Sequence, residues 1–228
     1  MTPAQAVERE SKSSSAHATP VVFVLDNDVS VRASLDAIIR CAGFSAETFA
    51  SAHDFLGHPP ARVPNCLVLD TCLPDLSGLD LQNLIASERT DMPIIFITGN
   101  DDVRTTVRAM KAGAFDFLTK PFDEQVLLDA IRHAIEYSRA ALSEAAGMQA
   151  IRDRYASLSR REREVMALVV TGLLNKQVGH ELGISEITVK VHRRQVMRKM
   201  SARSLAELIS IAWQLHPDHA PQAALSAA

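Results

Sequence analysis

The chain has 228 residues and a formal net charge of −3, room for two modest domains that each bury a core. Cys41, Cys66 and Cys72 are an odd number without metal-like spacing, which excludes a disulfide scaffold and suits small buried residues in a reducing compartment. No apolar stretch approaches membrane-spanning length and residues 1–19 lack a signal-peptide core, so no membrane partner and a cytoplasmic location are expected.

The small net charge conceals an asymmetry. Residues 155–215 hold ten Lys and Arg against five Glu, a surplus of +5, which leaves −8 for the remainder. An acidic front joined to a basic back suggests a regulatory or catalytic module tethered to something that touches a polyanion.

Residues 1–19 are polar and read as a disordered tail. Residues 21–25 form an apolar run ending in Asp26-Asn27-Asp28, and a helix should follow with Val31, Leu35, Ile38 and Ile39 on one face, closed by Gly43. A mixed strand over 44–49, a short helix over 51–57 and a Pro-rich loop precede a second wholly apolar run, 66–69, ending in Asp70 and the turn Leu73-Pro74-Asp75. Ser77 should cap a helix that turns Leu81, Leu84 and Ile85 inward. A buried strand over 94–97 ends at Thr98-Gly99. The next helix should turn Val103, Val107 and Met110 inward and end at Gly113. A further buried strand over 115–118 ends at Thr119-Lys120-Pro121, and helical spacing resumes at Val126, Leu127, Ile131 and Ile135. This alternation implies a doubly wound α/β fold with a five-stranded parallel sheet.

An Ala-rich, proline-free connector over 140–156 should be helical. Beyond it only helices are expected: one opened by a Ser159–Glu162 capping box, a short one over 175–182, one from Ser185 to Met200, and one opened by a Ser204–Glu207 capping box. The pair across Gly183 has helix-turn-helix proportions, a second, smaller all-α domain. The tail 217–228 reads as disordered.

Polar residues gather where the buried strands end: Asp26, Asn27 and Asp28, then Asp70, Thr98 and Lys120. Ligands of such sheets collect beyond the carboxyl ends of the strands. Each of these residues alone reads as a turn former or helix cap, but four at matched positions suggest a site. Clustered carboxylates invite a hard divalent cation such as Mg²⁺. A lysine and a hydroxyl beside them suit a transferred phosphoryl group, and a carboxylate there can be its acceptor.

Residues 20–139 resemble the receiver domain of bacterial two-component response regulators, a flavodoxin-like fold, in Asp26-Asn27-Asp28, Leu69-Asp70, Leu73-Pro74-Asp75, Gly78, Thr98-Gly99 and Lys120-Pro121-Phe122. The resemblance implies that Asp70 accepts phosphoryl from a sensor histidine kinase, and that Asp26, Asn27, Asp70 and the Cys72 carbonyl hold Mg²⁺. Thr98 and Lys120 would grip the phosphoryl oxygens and Phe117 would be the aromatic switch. Asn27 departs from the pattern, standing where the family usually has a second metal-binding acid, so weakened Mg²⁺ affinity is expected. Asp28 should cap the following helix instead.

In the helix after Ser185, Val189, Val196 and Met200 should face the core, leaving Ile187, Val191, Arg194 and Arg198 outward with Lys190 at the edge. That mixture suits the DNA major groove, with Arg193, Lys199 and Lys176 meeting phosphates. Residues 157–216 resemble the LuxR-type DNA-binding domain in Leu158-Ser159, Arg161-Glu162, Glu164-Val165, Gly172, Asn175-Lys176, Leu182, Ile184-Ser185 and Thr188-Val189-Lys190 with His192. The resemblance assigns recognition of double-stranded promoter DNA to residues 190–194 and dimerisation to the last helix; for His192 the spacing favours packing or a phosphate contact. Together the two resemblances describe a NarL/FixJ-type response regulator, a non-enzymatic transcription factor that forms a homodimer on activation. Two alternatives stand beside it. One is a DNA-binding regulator independent of phosphorylation because of Asn27. The other is a phosphatase resembling the haloacid dehalogenases, with Asp26 as nucleophile and Asp28 as acid/base.

Overall fold

The computed structural model describes residues 19–99 and 103–215; the expected tails, 1–19 and 217–228, lie outside the described residues except for Thr19. By its internal contacts the chain divides into two units between Ser143 and Glu144.

In the first unit, β1 (Val21–Leu25), α1 (Val29–Cys41), β2 (Ser45–Phe49), α2 (Ala52–Gly57), β3 (Asn65–Asp70), α3 (Gly78–Ile85), β4 (Ile94–Thr98), α4 (Val103–Lys111) and β5 (Asp116–Thr119) alternate, followed by α5 (Glu124–Ala156). All five strands are parallel, in the order β2-β1-β3-β4-β5. Strand side chains alternate between faces, and the cores follow that alternation. Val22, Val24, Cys66, Val68, Ile95 and Ile97 pack with α1 and α5 residues such as Leu35 and Ile131. Phe23, Leu25, Leu67, Leu69 and Phe96 pack on the other face with Phe55, Leu81 and Ala109. β3 is central and buried along its whole length.

Several expected inward faces are corrected. Leu84 (55% exposed), Val107 (45%), Met110 (46%) and Val126 (51%) point outward. Gln82 takes the inward place on α3, where its Nε2 donates to the Ala112 carbonyl at 3.0 Å. That side-chain-to-backbone bond draws α3 toward the end of α4, and the inward position on α4 goes to the small Ala109. β5 starts one residue late and only Leu118 is buried, because it is an edge strand paired with β4 alone. Cys66 is buried, but Cys41 and Cys72 are exposed, so the reading of all three as buried residues fails.

The connector is not a separate element. α5 runs unbroken for 33 residues through Gly147. Its first half buries Leu127, Ile131 and Ile135 in the sheet's core, while Ile151 and Tyr155 pack into the second unit's. No described helix is long and apolar enough to cross a membrane.

The second unit holds α6 (Arg160–Val169), α7 (Asn175–Leu182), α8 (Glu186–Lys199) and α9 (Leu205–Leu215) around Leu158, Val165, Met166, Val178, Val189, Val196, Met200 and Leu208. Both halves of the Ser159–Glu162 capping box form. The second box is half made: Glu207 N–H donates to Ser204 Oγ, but the Glu207 carboxylate accepts from Arg203 N–H, one residue too early. Glu162 also receives Lys199 Nζ at 2.7 Å, tying α6 to the end of α8. α7 ends at Gly183, whose φ of +65° suits glycine. Gly179 is the tightest point of the turn, because a Cβ there would lie 2.8 Å from the Ile184 carbonyl oxygen.

Gly179→Ala should therefore spread α7 from the turn and destabilise the second unit by about 1–3 kcal/mol. Urea unfolding followed by fluorescence of Trp213, the chain's one tryptophan, measures it.

Candidate functional site

The parallel register brings the β1, β3 and β4 tips side by side and sets Lys120 just past β5. Asp26 is fully buried. Its Oδ1 accepts the Asp28 N–H at 2.8 Å, its Oδ2 accepts Lys120 Nζ at 2.7 Å, and its carbonyl accepts from Arg32 Nη1 at 2.6 Å. Asp70 Oδ2 lies 3.9 Å from the same ammonium. One lysine thus bridges two carboxylates at a sheet edge. Burial raises the Asp70 carboxyl above the ordinary aspartate range; Lys120 and the amides of Cys72 and Thr71 oppose the rise, and Asp26 adds to it.

Thr98 is buried beside this group, and its Oγ1 accepts from Thr71 Oγ1 at 2.8 Å. The Lys120 N–H donates to the Thr98 carbonyl at 2.7 Å, which fixes the lysine's backbone to the tip of β4. Phe117 is half-buried with its ring 6.3 Å from that of Phe96. Asn27 is exposed. Asp28 caps α1, its Oδ1 accepting from the amides of Ser30 and Val31. Among the described residues no three His, Cys, Asp or Glu side chains cluster as a metal centre. The acidic donors are two carboxylates, hard oxygens of the kind Mg²⁺ takes, with the Asn27 amide and the Cys72 carbonyl as neutral oxygens nearby in sequence. The donor set fits such an ion.

Thr71 was not singled out from the sequence, and Gly78 and Asp75 were named there only as motif residues, without a role. Thr71 contacts Thr98, and only the strand register places it there. Gly78 has no room for a side chain, since a Cβ would meet the Asp70 carbonyl oxygen at 2.8 Å. Asp75 accepts from the amides of Ala52 and His53, which hold its carboxyl below the ordinary range and anchor the turn after Asp70 to α2.

In the second unit, Lys176, Lys190, Val191, Arg194 and Arg198 are exposed, as is Ile187 at 74%. Lys190 pairs with Glu186 at 2.9 Å. Thr188 and His192 are partly buried, and Thr188 Oγ1 lies 2.8 Å from the capping Ser185 Oγ. Arg193 donates to Asn175 Oδ1 at 3.1 Å, bracing α8 against α7. Lys199 is bound to Glu162 and the Ser157 carbonyl, so the expectation that it meets phosphate is corrected to a structural role.

An acidic pair bridged by lysine at the end of a parallel sheet, joined to a helical unit with an exposed basic helix, defines a two-component response regulator. Residues 22–132 match the response regulator receiver domain and residues 156–212 the bacterial regulatory proteins of the luxR family. Nodulation protein W of Bradyrhizobium diazoefficiens is 50% identical over 189 residues, covering 83% of each chain. The transcriptional regulatory protein FixJ of Rhizobium meliloti is 41% identical over 191 residues, 84% of this chain and 94% of that one. The solved structure of the response regulator StyR is 45% identical with a TM-score of 0.78, covering 86% of this chain and 98% of that one. The chain belongs to the NarL/FixJ-type response regulators and is a transcription factor with receiver and LuxR-type DNA-binding domains.

Because Asp70 is held in a site that disfavours its charge, Asp70→Asn should stabilise the first unit at neutral pH and raise its melting temperature. A raised carboxyl pKa means that the native state holds its proton more tightly than the unfolded chain. The penalty is therefore full above the raised value and fades as pH falls through it. Calorimetry of both proteins between pH 7 and the ordinary aspartate range should show the gap closing.

Proposed function

We propose that Asp70 is the phosphoacceptor for a sensor histidine kinase and that its phosphorylation controls binding of promoter DNA by the second unit. The observation carrying this is the convergence of the Asp26 and Asp70 carboxylates on Lys120 Nζ at 2.7 and 3.9 Å. An Asp70 oxygen attacks the phosphorus of a phosphohistidine; the P–N bond breaks, the imidazole leaves with its electron pair, and an acyl phosphate remains. Asp26, Asn27, Asp70 and the Cys72 carbonyl would hold Mg²⁺, which would supply charge neutralisation. Lys120 then pairs with a phosphoryl oxygen and Thr98 hydrogen-bonds another.

The acyl phosphate carries about −1.5 to −2 charges where the Asp70 carboxylate carried one, so the strand tips become more negative by up to about one charge. Drawing Thr98 and Lys120 inward, with Phe117 following, biases a two-state surface of the receiver that forms a homodimer. Two α8 helices then reach successive major grooves. Lys190, Val191, Arg194 and Arg198 read base edges, while Lys176, Arg193, Thr188 and His192 position the helix on the backbone. Such a protein works in the cytoplasm without a membrane partner.

With kinase and ATP present, wild type should bind its promoter at least tenfold tighter than Asp70→Asn; equal affinity and oligomeric state would contradict the proposal. Asn27 contributes an amide where an acid would add a formal charge. Asn27→Asp should lower the Mg²⁺ concentration for half-maximal labelling by acetyl phosphate roughly tenfold. No labelling of wild type at saturating Mg²⁺ would favour a regulator that works without phosphorylation.

A further inference from the structure

The hydroxyl of Thr71 makes a contact that the phosphoryl chemistry above does not use. Thr71 follows Asp70 directly, and its N–H donates to the Ile97 carbonyl at 3.1 Å, extending the β3–β4 ladder by one residue. That extension sets Thr71 beside Thr98. Leu67 and Leu69 of β3 and Phe96 of β4 share the sheet face that also packs Phe117. By alternation Thr71 and Thr98 belong to the same face, whereas Asp70 belongs with Cys66 and Val68 on the other. Thr71 Oγ1 donates to Thr98 Oγ1 at 2.8 Å in this partly buried setting.

We propose that Thr71 is a positioning residue that locks Thr98 in the resting state, so that their hydrogen bond must break before Thr98 serves a phosphoryl group on Asp70. The inference rests on the phosphoacceptor reading and adds a restraint to it. Thr98 cannot lean across the sheet edge toward Asp70 while it stays against Thr71. The lock lies on the sheet face of Phe96 and Phe117, the face from which Thr98 must turn to reach Asp70. A neutral side-chain hydrogen bond shifts such an equilibrium about two- to tenfold. The apparent affinity for any activating ligand scales with the fraction of competent protein.

The test uses the full chain with Mg²⁺ and beryllofluoride, a phosphoryl mimic, titrated by calorimetry. Thr71→Val keeps the branched shape and loses the hydroxyl, and it should bind beryllofluoride about two- to tenfold tighter than wild type. Thr71→Ser keeps a donor and should match wild type. In a Thr98→Ala background there is nothing to release, and Thr71→Val should change affinity less than twofold. A merely structural Thr71 would weaken binding when replaced. Unchanged or weaker binding by Thr71→Val overturns the lock, as does equal tightening in the Thr98→Ala background. Wild type that binds no beryllofluoride sinks the phosphoacceptor reading and this inference with it. Wild type that binds while Thr71→Val gains nothing sinks the inference alone.

Discussion

Two carboxylates sharing one ammonium at the end of a buried parallel sheet are the constraint around which the first unit is built. Asp26 has no exposed surface. Lys120 Nζ and the Asp28 amide supply its two carboxylate oxygens with hydrogen bonds there. The arrangement depends on distant parts of the chain. Lys120 reaches Asp26 across 94 positions of sequence, held at its backbone by the Thr98 carbonyl. Asp75 and the unoccupiable space at Gly78 shape the turn behind Asp70. A site of this kind gives up some fold strength, because its charges are kept close together at the sheet edge.

The second unit solves a different problem, which is to leave one face of α8 exposed while fixing its angle. The buried side of that helix, Val189, Val196 and Met200, enters the core, and polar ties hold its middle and its C-terminal end: Arg193 to Asn175 toward α7, and Lys199 to Glu162 toward α6. Lys199 illustrates why charge alone misleads. It lies on the basic helix, yet its ammonium is spent inside the unit on the carboxylate of a capping box.

Much of this was legible in the sequence because strand termini are punctuated. Apolar runs ending in Asp26, Asp70, Thr98 and Lys120 announce a common edge, and the Asp28 and Ser159 caps could be read from local spacing. The helix-turn-helix spacing around Gly183 was equally plain. Helix faces were harder. Leu84, Val107, Met110 and Val126 look inward by hydrophobicity, but inward places are set by how closely neighbouring helices approach, and here Gln82 and Ala109 fill them. The half-made box at Ser204 and the exposure of Cys41 and Cys72 follow from local geometry that composition does not encode. Thr71 was invisible for a further reason: its contact is lateral, between two strands whose register no single segment specifies.

The carboxylate of residue 70 is the proposed acceptor of the phosphoryl group. The most direct measurement is peptide mapping by mass spectrometry after incubation with acetyl phosphate, with and without Mg²⁺. A single phosphoryl mass confined to the peptide bearing Asp70, dependent on the metal and lost on hydroxylamine treatment as an acyl phosphate should be, is the expected result. A label on another residue, or one indifferent to Mg²⁺, would contradict the account.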